Sequence, residues 1–147
     1  MVQKLCDILR DDVSEYLHKY IHFDINVTLA LVYTDRNDAA SVIAKHIRST
    51  DKVISISAHL YAVIFQFTDT GEEADAAVAN LEQHIREKGK GLIAYTHFHE
   101  SDKDADMIVT RLYDIFEDLF KNKQEDTESD EAYFKAFMAS HITMENL

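Results

Sequence analysis

Val53-Ile-Ser-Ile-Ser-Ala-His-Leu-Tyr-Ala-Val-Ile-Phe-Gln-Phe67 decides the fold. Val53–Ile56 and Tyr61–Phe67 are short runs of β-branched and aromatic residues, which suit a pleated surface. Ser57-Ala-His-Leu60 lies between them as a turn, so the stretch predicts a β-hairpin. Just before it, residues 38–49 predict a helix with Ala40, Ile43, Ala44 and Ile47 on its core face. Asp35-Arg-Asn-Asp38 is a turn that can cap that helix. Further back, Ile25, Val27, Leu29, Leu31 and Tyr33 alternate with smaller or polar residues, as in a half-buried strand. On the other side of the hairpin, Thr70 and Glu73 have the spacing of a capping box. Glu72–Lys88 then predicts a helix with Ala74, Ala77, Val78, Leu81 and Ile85 inward, and Gly89-Lys-Gly91 ends it. Leu92–Phe98 is a strand, and Ser101–Asp104 caps a helix over 103–121 whose core face includes Ile108, Leu112, Ile115, Phe116 and Leu119.

The resulting order, β-α-β-β-α-β-α, is that of an α+β, ferredoxin-like split βαβ with an antiparallel sheet and its crossover helices over one face. An extra helix over 3–21 precedes this core, with Leu5, Ile8, Leu9, Val13, Tyr16, Leu17, Tyr20 and Ile21 at helical spacing. That stripe is wide enough to cover the sheet, to pair with a copy of itself, or both. Residues 1–22 are thus an N-terminal helix, 23–121 the main domain, 122–131 an acidic linker without apolar residues, and 132–147 a C-terminal helical segment.

At 147 residues the chain has the length of one domain. Asp and Glu total 27 against 15 Lys and Arg, a formal net charge of −12. Such a surface repels phosphate backbones and anionic lipid, so neither nucleic acid nor membrane is an expected partner. No export signal is visible, and Cys6 is the one cysteine, which fits a reducing cytoplasm. The three glycines lack the spacing of a phosphate-cradling loop, and no motif calls for a cofactor.

Arg48-Ser-Thr-Asp51 is followed, after five residues, by Ser57-Ala-His-Leu-Tyr61. This pattern resembles that of GGDEF domains, the diguanylate cyclases and their inactive relatives. These carry Arg-x-x-Asp, five residues, then Gly-Gly-(Asp/Glu)-Glu-Phe in the hairpin turn. Tyr61 stands in the aromatic slot, and Asp35 matches an acid at the end of the first strand. The resemblance spans about residues 25–120 and implies the family's fold. Its departures imply a degenerate member. Ser57 and Ala58 replace the glycines, His59 and Leu60 replace the acids, and Asn37 stands at the second acid position after the first strand. Residues 38–50 are also too few for the family's two helices, so one is expected to be missing. A two-metal phosphoryl transfer needs carboxylates on hard cations, so no diguanylate cyclase activity is expected. The retained Arg48 and Asp51 match the family's inhibitory site, which implies cyclic di-GMP as a candidate ligand. An Arg fork suits guanine O6 and N7, and a carboxylate accepts from N1 and N2. Read without the family, Arg48 is a helix-end cation and Asp51 a turn residue.

The functional expectation is a noncatalytic signalling module that binds a partner protein or itself. A second reading is a metal-dependent module or enzyme using His97 and His99, which share a strand face, with nearby acids; Asp35 is a further metal candidate. A third is a structural homodimer. His18 and His22 at i, i+4 also have metal-ligand spacing, and equally suit the C-terminal end of a helix. The apolar run Tyr133-Phe-Lys-Ala-Phe-Met138 could dock on its own domain or on a second chain.

Overall fold

A computed structural model describes residues 2–67 and 71–122. The elements are α1 (Val2–Phe23), β1 (Asn26–Thr34), α2 (Ala39–Lys45), β2 (Lys52–Ser55), β3 (Leu60–Phe67), α3 (Gly71–Arg86), β4 (Gly91–His97) and α4 (Ala105–Asn122). The four strands form one antiparallel sheet in the order β2-β3-β1-β4. This is the expected ferredoxin-like topology. A single short helix, α2, joins β1 to β2. The capping-box threonine, Thr70, and the C-terminal segment over 132–147 lie outside the described residues, as does all of the expected linker except Asn122.

The crossover helices α2 and α3 lie over one face of the sheet, as expected, and α1 and α4 cover the other. Leu29, Leu31, Leu60, Ala62, Ile64 and Ala94 pack under α1 and α4, against Leu5, Leu9, Val13, Ile108, Leu112 and Phe116. Ala30, Val32, Tyr61, Val63, Phe65 and Ile93 pack on the opposite face against Ala39, Ile43, Val78, Leu81 and Ile85 of α2 and α3. Consequently β1 is buried on both sides from Val27 to Thr34, not half-buried as its alternation suggests. Central position in the sheet, with Ala30 and Val32 under α2 and α3, is the cause. Each fully buried Leu or Ile in these layers contributes roughly 1.5–3 kcal/mol relative to exposure.

The N-terminal stripe covers the sheet. Leu5, Leu9 and Val13, four residues apart, are buried in the same core as α4. Arg10 donates from Nε and a terminal nitrogen to both carboxylate oxygens of Asp106, each at 2.9 Å, and so fastens α1 to α4. Lys52 on the edge strand pairs with Asp12, and Tyr16 donates its hydroxyl to the Thr50 carbonyl at 3.2 Å. Asp24, with φ 55, ends α1 in the left-handed conformation that Asp tolerates.

Three helical faces differ from expectation by small rotations. Ala39 and Ile43 are the buried residues of α2, whereas Ala40 and Ala44 face solvent. Ile115 of α4 is 37% exposed and Ile21 of α1 is 58% exposed. Ile115 and Ile21 sit on the borders of apolar stripes, where periodicity does not fix which side a neighbour covers.

Candidate functional site

The hairpin joins β2 to β3 in a tight bend. The amides of Ile56 and Ser57 both donate to the Leu60 carbonyl, at 2.9 and 3.0 Å. The Ser57 hydroxyl accepts from the His59 amide at 3.3 Å, and Tyr61 donates its hydroxyl to the Ala58 carbonyl at 3.0 Å. Among the described residues Asp24 alone has a positive φ, so Ser57 and Ala58 turn the chain without the left-handed region that glycine opens. Leu60 points into the core beneath α1 and α4 and is fully buried, while Tyr61 packs on the opposite face. The turn therefore presents no carboxylate.

The segment after β1 and the loop after α3 meet this hairpin at one end of the sheet. The Thr34 amide donates to the His59 carbonyl at 3.0 Å, and the Thr34 hydroxyl donates to the Lys90 carbonyl at 2.8 Å. Asp35 accepts the Lys90 amide on Oδ1 at 2.8 Å. Arg36 was not singled out by the sequence, yet it organises this end. Its guanidinium forms a two-pronged pair with Asp38, both contacts at 2.7 Å, and donates to the carbonyls of His84 and Ile85 at 2.7 and 3.3 Å. Those carbonyls end α3, where the helix dipole favours a cation. The pairing holds the Asp38 carboxyl below the usual range. Gly89 is needed here because a Cβ would lie 2.7 Å from both Arg36 Cγ and Asp35 Oδ1. No sequence signal marks Arg36: its nearby partner Asp38 is an ordinary turn neighbour, and the carbonyls of His84 and Ile85 lie far along the chain.

Arg48 and Asp51 lie at the opposite end of β2, and the structure brings them together. Asp51 accepts the Arg48 amide on Oδ2 at 2.8 Å and the Gln66 amide on Oδ1 at 2.9 Å. Its side chain is 1% exposed. Both oxygens thus pin the bend before β2 to the end of β3, the work of a turn residue. Arg48 is different: its side chain is 52% exposed, lies over the Phe67 ring at 4.2 Å and donates to the Gln66 carbonyl. Its Nε is 3.5 Å from Asp51 Oδ2.

His97 and His99 are held in different settings. His97 ends β4, shares a hydrogen with Thr28 Oγ1 at 2.7 Å through Nδ1, and places Nε2 3.3 Å from Asp75. It lines a shallow cleft of about 160 Å³ with Asn26, Thr28, Phe67, Ala74 and Phe98. His99 lies beyond the strand, exposed, and its amide donates to Asp102 at 2.8 Å. Asp102, close to these histidines in sequence, is a buried carboxylate. Arg111 grips both its oxygens at 2.6 and 2.9 Å and also binds Thr96 Oγ1 and the His97 carbonyl at 2.8 and 2.9 Å. Burial pushes the Asp102 carboxyl up, but Arg111 and the His99 amide outweigh it and hold it below its usual value. The cluster latches β4 to α4. Among the described residues no three His, Cys, Asp or Glu side chains are placed to share a metal ion, and no helix is long and apolar enough to cross a membrane.

No protein-family profile matches the chain, and no curated protein matches it. Solved structures do. The GGDEF domain of FimX from Pseudomonas aeruginosa superposes with a TM-score of 0.64 at 13% identity, covering 74% of this chain and 83% of that one. The GGDEF domain of DgcB from Caulobacter crescentus, solved in complex with c-di-GMP, gives 0.67 at 10% identity over 78% and 81%. A DGC protein from Thermotoga maritima gives 0.54 at 19% identity over 71% and 89%. At these identities the likeness shows the fold alone: the chain has the fold of these GGDEF domains.

Proposed function

We propose that the chain is a noncatalytic signalling and protein-interaction module built on the GGDEF fold. The observation that carries this reading is the seat of Leu60. Where the family places a metal-holding acid, this chain has an aliphatic side chain wholly inside the core. Phosphoryl transfer through bound cations requires oxygen ligands facing the triphosphate. Asp35 is the remaining acid of that pattern, and one of its oxygens already receives the Lys90 amide. The Cβ atoms of Ser57 and Ala58 also crowd the approach that glycine allows. What is left to act is the surface of the folded domain, offered to a partner protein or a second copy. Calorimetric titration with GTP and Mg²⁺ tests this: no heat is expected, and saturable binding that raises the melting temperature would overturn it.

A second reading concerns cyclic di-GMP at the Arg48 bend. It is favoured by the half-exposed guanidinium stacked on Phe67, a fork able to bind guanine O6 and N7. Against it, the Asp51 side chain is 1% exposed, with both oxygens turned to backbone amides. Heat on titrating the dinucleotide that vanishes in Arg48→Ala supports this reading. Silence at high micromolar concentration removes it and leaves the module without a nucleotide ligand.

A further inference from the structure

The last turns of α1 carry a feature that neither the core nor the hairpin uses. His18 and His22 are both exposed, and their rings lie side by side with centroids 4.3 Å apart. Phe23 sets its ring edge to His18 at a centroid distance of 6.1 Å. Phe23 is 63% exposed and Ile21 is 58% exposed, so the pair stands beside the two most exposed large apolar side chains among the described residues. Two imidazoles one helical turn apart form a chelate: small rotations bring one nitrogen of each onto a common ion at bonds of about 2.0–2.1 Å. The setting also favours a cation. The carbonyl-rich end of α1 is the negative pole of the helix, and the chain carries a formal charge of −12.

We propose that His18 and His22 form a surface site for a borderline divalent cation, Zn²⁺, and that the ion bridges two copies of this chain. Zinc takes a tetrahedral set of nitrogen, sulfur or oxygen donors. One chain supplies a pair of nitrogens here, and no third described metal-ligating side chain converges with them. The same pair from a second copy completes the tetrahedron around a twofold axis. Bringing the two α1 ends together also removes Ile21 and Phe23 from water, which adds an apolar rim to the metal bond.

Sedimentation of the full chain with and without ZnCl₂ tests the site. The expected result is conversion from monomer to dimer at one zinc per two chains, reversed by EDTA. His18→Ala and His22→Ala each lose the zinc-dependent shift, while His46→Ala keeps it. Phe23→Ser binds zinc but dimerises at higher chain concentration. All these positions are at least partly exposed, and circular dichroism confirms that each variant is folded. Absence of zinc uptake, uptake unchanged in His18→Ala, or one zinc on each monomer would overturn the proposal.

Discussion

The two bends that flank β2 are built from similar materials and end in opposite states. The bend before the strand turns its carboxylate inward and leaves its cation half in water: Asp51 is buried on two amides, and Arg48 lies over Phe67 in partial contact with solvent. The bend after the strand turns Leu60 into the core and ties Ser57, Ala58 and Tyr61 to one another through the backbone. The first leaves a guanidinium half in solvent, and the second is closed by its own side chains. Two bends at opposite ends of one strand thus differ in what they offer to solvent, and the proposed loss of catalysis concerns the second bend alone.

The largest effect should come from placing an acid in the second bend. Leu60→Glu places a carboxylate in an apolar layer, at a cost of several kcal/mol, about 4 or more. The variant should lose its cooperative melt; an unchanged melting temperature would show that the second bend opens readily to solvent. Next is the latch at the far end of β4. Arg111→Met leaves the buried Asp102 without its partner and should cost about 3 kcal/mol in urea unfolding. Because the Asp102 carboxyl is held below its unfolded value in the native chain, its contribution is present above that unfolded value of 3.8 and is lost as pH falls below it through the folded value. Loss of the Arg111→Met difference as the pH falls below 3.8 would fit. A difference independent of pH would contradict the ion pair.

Asp51→Ala should come third, at about 1–3 kcal/mol, since it orphans the amides of Arg48 and Gln66. Arg48→Ala should be smallest, within about 0.5 kcal/mol for a half-exposed side chain. That ordering of Asp51 above Arg48 sharpens the comparison. Equal effects would mean that the pair acts as one unit in folding.

Much of the architecture was readable because it rests on local pattern. The hairpin, the two crossover helices and the flanking helices follow from period-2 and helical spacing, and each lies within a few residues of its observed bounds. The burial of β1 on both faces was not readable: Ala30 and Val32 look like the minor side of an alternating strand until α2 and α3 are placed over them. The candidate site divided in the same way. Arg48 and Asp51 stand out by spacing, but spacing does not reveal that Asp51 faces two amides. Arg36 and the Asp102–Arg111 latch gave no signal, because no periodic pattern marks them: the His84 carbonyl reaches Arg36 only through the fold, and Asp102 meets Arg111 only once α4 folds back beside β4.

The closed second bend is the centre of this account, and turnover tests it most directly. The purified chain is incubated with radiolabelled GTP and Mg²⁺ or Mn²⁺, and the nucleotides are separated by chromatography. The account predicts that all label stays in GTP. Label appearing in cyclic di-GMP would contradict it.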